Sequence, residues 1–132
     1  MSQSPILVEV SIGELFDKIS ILEIKTERIS DSGKLKNVKT EFEALSSVAE
    51  TLPQNKKIAE LRKELRKVNE QLWEIEDEIR RCEARSDFSE TFIELARSVY
   101  ITNDKRADLK REINEIAGSR LIEEKDYSRN DS

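Results

Sequence analysis

The stretch IAELRKELRKVNEQLWEIEDEIRRC, residues 58–82, carries an apolar stripe that decides the fold. Its members recur at alternating steps of three and four, with no Gly or Pro between them: Ile58, Leu61, Leu65, Val68, Leu72, Ile75, Ile79 and Cys82. A repeat of 3.5 residues places these side chains along one side of a helix, as in a coiled coil. We therefore predict a long helix at residues 55–84 that packs against a second helix along this stripe.

The segment that follows predicts that the chain turns back on itself. Asp87-Phe-Ser-Glu90 can cap a further helix that runs to residue 117, where Gly118 suits a helix end. Because only residues 85 and 86 separate the helices at 55–84 and 87–117, we expect a long αα-hairpin. The predicted fold class is all-α, an antiparallel helical bundle with a coiled-coil-like hairpin.

A helix predicted at residues 11–30 precedes the hairpin. It begins with the capping-box pattern Ser11-Ile-Gly-Glu14 and ends at Ser30-Asp31-Ser32-Gly33. Ile21 and Ile24 lie away from its main apolar stripe, so the helix has two apolar faces. It is therefore either central in the bundle or shared with a second subunit.

The remaining segments complete a single domain over residues 1–132. Residues 1–10 include a β-branched, apolar run and predict a short extended arm, whereas residues 118–132 form a polar tail. A further helix is predicted at 35–51, ending before Pro53. Its inward residues are Leu35, Val38, Phe42, Leu45, Val48 and Leu52, and the tail residues that could dock are Leu121, Ile122 and Tyr127.

Composition and charge exclude several classes of protein. Charged residues make up 39% of the chain and Gly and Pro are few, which is typical of long helices. A net charge of −5 argues against a nucleic-acid binder. The chain has no His and a single cysteine, Cys82, so it can form no zinc cluster of His or Cys and no internal disulfide. It also lacks a signal-peptide pattern and the roughly 20 apolar residues that span a bilayer, so we expect a cytoplasmic protein without membrane insertion.

A polar layer interrupts the predicted hairpin interface near its middle. If residues 84 and 89 lie opposite each other, the inward stripe of the last helix continues as Thr102 and Arg106 at about the level of Asn69. Buried polar groups require hydrogen bonds, so such a layer can fix the register of helix pairing. The alternatives are a ligand cavity or a solvated face, formed by Asn69, Thr102, Asn103, Asp104 and Arg106.

A second polar feature lies beside this layer. Trp73 and Asp77 are one turn apart on the helix at 55–84, and Arg97, Tyr100 and Asp104 form a matching row on the next helix. Aromatic rings among charges of both signs are typical of a small-ligand cleft, in which Arg97 would bind an anionic group. The alternative is that Trp73 and Tyr100 pack against the first or second helix.

Two Glu-x-x-Asp pairs, Glu14 with Asp17 and Glu74 with Asp77, could each present two carboxylates to a divalent cation. In this spacing alone the chain resembles the all-α nucleotide pyrophosphohydrolases, which hold magnesium on neighbouring helices. It lacks their usual Glu-x-x-Glu partner, because Trp73 follows Glu70 at the third position. Solvated, salt-bridged helix faces are the alternative in a chain with 28 acidic residues.

Charge is distributed unevenly along the helix at 55–84. Residues 56–67 carry six Lys or Arg and two Glu, whereas residues 70–78 carry five acidic residues and no base. The basic end could attract an acidic partner or a phosphorylated sugar, or serve only solubility and helix pairing. By the same register, further bases come from the last helix: Lys105, Arg106, Lys110 and Arg111.

Three segments and the tail at 123–127 link the chain to a known family. The segments are GELFDKISILEIKTER at 13–28, LWEIEDEIR at 72–80 and FIELARSVYITNDKRADLKREIN at 92–114. In these the chain resembles a family of small uncharacterised bacterial proteins that lie near surface-polysaccharide genes. The resemblance implies a bacterial, cytoplasmic setting and no particular reaction. Together with the polar features above, it makes these residues ligand-binding candidates: Asp17, Lys18, Lys25, Trp73, Asp77, Arg97, Tyr100, Asn103, Asp104 and Arg106.

Two functions are consistent with these observations. The first is a non-enzymatic helical interaction or scaffold protein that forms a homodimer, with a protein partner and no cofactor. The second is a Mg²⁺-dependent hydrolase or ligand-binding enzyme acting on a nucleotide or a phosphorylated sugar. The second requires Asp17 and Asp77, or Asp77 and Asp104, within reach of one ion.

Overall fold

The structure is a computed structural model that describes residues 4–119. Its helices are α1 (Ile12–Arg28), α2 (Ser32–Ala49), α3 (Lys56–Ala84) and α4 (Glu90–Ala117). Residues 4–119 contain no strand, which confirms the predicted all-α class. Within that part of the chain, no helix has an apolar stretch that could cross a membrane. The residues expected to dock from the tail, Leu121, Ile122 and Tyr127, lie outside the described residues.

Local capping sets several of the helix ends, although α4 begins at Glu90, later than predicted, and its N-cap Ser89 makes no side-chain cap bond. The hydroxyl of Ser11 accepts a hydrogen bond from the Glu14 backbone N–H at 3.1 Å, as the capping pattern predicts. Asp31 was expected to help end the first helix, but its carboxylate accepts from the Lys34 N–H at 2.8 Å and starts α2. Consequently α2 begins three residues earlier than predicted. Gly118 ends α4 in the left-handed conformation, with φ of 69°.

Helix α1 lies at the centre of the fold, because it packs against all three other helices. The main core forms where α1 meets the start of α3 and the end of α4: Leu15, Phe16, Ile19, Leu61, Leu65 and Ile113. Ile24 is also buried, on the second apolar side of α1. The central position therefore accounts for the two apolar faces without a second subunit.

The stripe on α3 is buried in two separate parts. Leu61, Leu65 and Val68 are buried near its start and Cys82 near its end. The residues between them, Leu72, Ile75 and Ile79, are half-buried. Helix α3 makes its most extensive contact with α4, to which residues 85–89 connect it. The middle of α3 is thus the least completely covered part of its apolar stripe.

Helix α2 packs against α1 alone among the described helices, and none of its residues is fully buried. Val48, predicted to point inward, is 52% exposed, so that prediction is wrong. A helix with one neighbour buries only a narrow strip of its surface, and this strip includes Phe42 and Leu45.

Arg66 on α3 forms ion pairs with α1 outside the core. Its guanidinium donates hydrogen bonds to Glu27 at 2.5 Å, Glu70 at 2.9 Å and Glu23 at 2.7 Å. These bonds, that to Glu27 foremost, raise the pKa of Arg66 because they favour its charged form. The edge of the α1–α3 interface is therefore polar and permanently charged.

Candidate functional site

A buried carboxylate, that of Asp17 on α1, bonds to side chains of α3 and α4. Asp17 is fully buried. Its Oδ1 accepts hydrogen bonds from Arg106 Nε on α4 and from Asn69 Nδ2 on α3, each at 2.9 Å. Its Oδ2 accepts a further bond from Arg106 Nη2. Burial of the charge is thus offset by a two-point ion pair and an amide donor.

Further polar side chains surround this pair. The Nδ2 of Asn69 also donates to Ser20 Oγ at 2.7 Å, and Ser20 Oγ donates to the Asp17 carbonyl oxygen at 2.8 Å. Lys110 Nζ donates to Glu14 Oε2 at 2.6 Å and lies 3.8 Å from Asp17 Oδ2. The ionic part of the cluster therefore holds two acidic and two basic groups, which balance in charge.

The α4 side of this cluster is a polar row in steps of four residues: Thr102, Arg106, Lys110 and Asn114. At its end the Gly13 N–H donates to Asn114 Oδ1 at 2.6 Å, while Asn114 Nδ2 is buried with no hydrogen-bond partner within residues 4–119. A Cβ on Gly13 would lie 2.5 Å from the Lys110 carbonyl oxygen. The absence of a side chain at Gly13 therefore lets α1 and α4 approach closely.

Of the residues that the sequence pattern predicts in a polar layer, Asn69 and Arg106 both bond to Asp17, and Thr102 is buried. Sequence reasoning placed Asp17 among ligand and metal candidates and missed that it is the centre of the layer. It also missed Ser20, the place of Lys110 in this cluster, and Asn114. The step of four from Thr102 to Arg106 is a signal that, continued, reaches the last two of these. For Ser20 we see no comparable signal in the sequence.

A groove of about 480 Å³ opens beside the buried cluster, between α1, α3 and α4. It brings together four of the predicted ligand-binding residues, namely Trp73, Asp77, Asn103 and Arg106. Asp17 lies behind it, bonded to Arg106. The other lining residues are Ile21, Asn69, Leu72, Glu76 and Arg80. The groove thus combines an indole ring, aliphatic side chains, amides and charges of both signs.

The remaining ligand-binding candidates do not line this groove. Lys18 is exposed and Lys25 is half-buried, both on α1. Arg97 and Tyr100 are exposed and Asp104 is half-buried, all on α4. The row expected to face Trp73 therefore lies elsewhere on α4, and Asn103 and Arg106 face the groove instead.

Three of the four predicted metal ligands form ion pairs. Glu14 pairs with Lys110, Asp17 with Arg106, and Glu74 Oε1 lies 2.5 Å from an Arg28 guanidinium nitrogen. Asp77 lines the groove. Over residues 4–119, no three Asp, Glu or Cys side chains are grouped so that they could hold a metal ion. The magnesium site stays a prediction that this geometry does not strengthen.

Comparison with known proteins gives a family without an assigned role. Residues 6–132 match the family of unknown function DUF6165. No curated protein and no solved structure matches the chain at a significant level. The predicted resemblance to an uncharacterised family is confirmed, whereas the bacterial setting stays a prediction.

Proposed function

Because the chain belongs to this family, whose description names no activity, we propose its role from the geometry: a non-enzymatic helical interaction module that forms a homodimer. The proposal includes an antiparallel α3–α4 hairpin and a bacterial, cytoplasmic setting. The single observation that carries it is the exposure of two apolar surfaces at different ends of the fold. A monomeric protein seldom leaves contiguous apolar side chains of this size in water.

The first of these surfaces, the arm surface, consists of Ile6, Leu7, Val8 and Val10. Ile6 is 92% exposed, so the arm makes little contact with its own helices. Apolar side chains exposed to this degree are available for contact with a partner. The arm surface is therefore suited to docking on another molecule.

The second surface, the outer α4 patch, consists of Phe88, Ile93, Tyr100 and Ile101. Steps of seven and eight residues place Ile93, Tyr100 and Ile101 on one side of α4. Each is more than 40% exposed, and the ring of Phe88 makes an edge-to-face contact with Phe92 at 5.3 Å. The patch thus begins at the connection between α3 and α4 and extends along the first half of α4.

The two surfaces are placed so that a second copy can cover both. The arm leads into Gly13, which contacts Asn114 near the end of α4, whereas Phe88 lies before its start. In an antiparallel two-fold dimer, each arm would therefore lie beside the partner's outer α4 patch. Six extended residues span about 20 Å, which is enough to cross the patch.

The charge distribution of α3 favours the same arrangement. Residues 56–67 have a surplus of bases, whereas all the charged residues in 70–78 are acidic. An antiparallel pairing sets the basic half of one α3 towards the acidic half of the other. Parallel association would set like charges together, which disfavours it.

Sedimentation equilibrium at micromolar concentration tests the dimer. We expect a species of twice the 15.3 kDa chain mass, with weaker association at high salt. Ile93→Asp should give the 15.3 kDa monomer, and separately removal of residues 1–10 should give a monomer of correspondingly lower mass. Thr91→Asp is the matched control, because Thr91 is exposed on nearly the opposite side of α4. A wild-type chain that sediments only as a monomer would refute the proposal.

The alternative is a Mg²⁺-dependent hydrolase or ligand-binding enzyme acting on a nucleotide or a phosphorylated sugar. Its support is the groove, which contains Asp77 and two arginines. Against it, Asp17 and Glu14 are already engaged by Arg106 and Lys110. Calorimetric titration with Mg²⁺ and nucleotides tests it, and the absence of heat would remove this alternative.

A further inference from the structure

The groove between α1, α3 and α4 has the dimensions of a small-molecule site. Its volume of about 480 Å³ falls within the range of about 300–1,000 Å³ that ligand pockets occupy. It is open to solvent on one side and backed on the other by Asn69, which is 4% exposed. Hydrogen bonds to Asp17 and Ser20 fix the Asn69 amide, so the rear of the groove is preorganised.

The charges in the groove do not all have partners. Arg106 is bound to Asp17 through two of its nitrogens. Arg80 Nη2 lies 3.9 Å from Glu76 Oε2. In contrast, Asp77 has no ion pair and no hydrogen bond with any residue in 4–119. The charge in the groove that lacks compensation is therefore one half-buried carboxylate.

The indole of Trp73 lies next to this carboxylate. Residues 73 and 77 are four apart on α3, so their side chains share one face of the helix. A cation is attracted by the face of an aromatic ring, most strongly by tryptophan, and by a carboxylate. Ile21 and Leu72 provide aliphatic contact, and the Asn103 amide, which has no partner within residues 4–119, provides an acceptor oxygen.

We propose that this groove binds a small organic cation, an ammonium group carried on an apolar body. The ammonium group lies between the Trp73 ring and the Asp77 carboxylate and donates to Asn103 Oδ1. The apolar body contacts Ile21 and Leu72. An anion is disfavoured because the guanidinium of Arg106 is already neutralised by Asp17. The site is separate from the outer α4 patch and does not depend on dimerisation.

Three probes of the same shape and different charge test the proposal: 4-phenylbutylamine, 4-phenylbutanol and 4-phenylbutyrate. Trp73 is the one tryptophan of the chain, so its fluorescence reports on this groove alone. We expect the amine to bind at least about tenfold more tightly than the alcohol or the acid. Its affinity should fall with added salt because the pairing is ionic. Equal affinities, preference for the acid, or no binding of the amine at millimolar concentration would overturn the proposal.

Single substitutions at Asp77 and Trp73 test whether these two side chains bind the amine. Asp77→Asn, which keeps the shape of the side chain, should abolish the preference for the amine over the alcohol. Asp108→Asn is the matched control, because Asp108 is an exposed aspartate that lines a different groove between α3 and α4. Trp73→Leu, followed by calorimetry, should weaken amine binding more than alcohol binding. Full retention of amine affinity in Asp77→Asn, or an equal loss in Asp108→Asn, would overturn the assignment.

Discussion

Asp17 and Arg106, 89 residues apart in the sequence, form an ion pair in which the two partners differ sharply in exposure. The Asp17 side chain is 1% exposed, whereas that of Arg106 is 29% exposed. The pair therefore joins a fully buried anion to a cation that reaches the groove. Because of this difference in exposure, removing Asp17 and removing Arg106 should change the free energy of unfolding by different amounts.

Arg106→Met should destabilise the fold more than Asp17→Ala. Loss of Arg106 leaves a buried carboxylate without its main partner, at a cost of about 3–5 kcal/mol. Loss of Asp17 leaves a guanidinium that can turn towards water, and we expect about 1–3 kcal/mol. Urea unfolding of both single variants and the double variant measures the costs and the coupling between the residues. A larger loss in Asp17→Ala would contradict this reasoning.

Gly13→Ala should destabilise the protein although Gly13 lies in a helix, where Ala is normally favoured. The new Cβ would lie 2.5 Å from the Lys110 carbonyl oxygen and 2.9 Å from Asn114 Oδ1, so α1 and α4 would have to separate. We expect a loss of about 1–3 kcal/mol, typical of overpacking.

Gly33→Ala is the control for this variant. Its Cβ would lie 3.5 Å from Asp31 Oδ2, an ordinary contact, within α2. Thermal unfolding should show a gain of about 0.5–1 kcal/mol from helix propensity. If both variants shift stability in the same direction, the close approach of α1 and α4 is not as described.

Leu65→Ala and Leu72→Ala compare two positions of the α3 stripe that are two turns apart. Leu65 has no exposure and belongs to the main core, whereas Leu72 is half-buried at the groove. We expect Leu65→Ala to cost about 2–5 kcal/mol and Leu72→Ala clearly less, because its neighbours are fewer. Chemical denaturation checks both, and equal costs would mean that the stripe is buried uniformly.

The carboxyl of Asp87 titrates below its usual range. Hydrogen bonds from the Ser89 side chain and backbone N–H favour the ionised form and lower the pKa of Asp87. A lowered folded-state pKa gives stability that is present above the unfolded value of about 3.9 and is lost as pH falls through the folded value.

Removal of the hydroxyl tests this cause. In Ser89→Ala, titration followed by NMR should give an Asp87 pKa nearer its ordinary value, with the backbone bond still contributing. Asp87→Asn should remove the corresponding loss of stability below about pH 4. An unchanged Asp87 pKa in Ser89→Ala would show that the hydroxyl has no part in the shift.

Local sequence patterns were enough to predict where the helices lie, but not which helices pack against each other. The stripe from Ile58 to Cys82 and the caps at Ser11 and Gly118 specify helices through backbone and side-chain periodicity, and these were predictable. Val48 was mispredicted because apolar spacing shows which face of a helix is apolar and not whether another helix covers it.

The candidate site was predictable to the extent that it lies on one helix pair. A register estimate along α3 and α4 was enough to relate Asn69 to Arg106. The role of Asp17 was not predictable, because it depends on how α1 crosses the other helices. Gly13 lets α1 approach α4 closely, but no property of residues 11–30 alone reveals which residue of α4 lies opposite.

Because helix α2 packs against α1 alone of the helices described, it should unfold locally more readily than the other helices. It can detach from α1 while the contacts of α1 with α3 and α4 persist. Its backbone amides should therefore exchange with solvent earlier than those around Asp17, and a protease should cut between residues 30 and 55 first. For the same reason, this is the part of the protein where a change of chain length or an inserted tag would disturb the rest least.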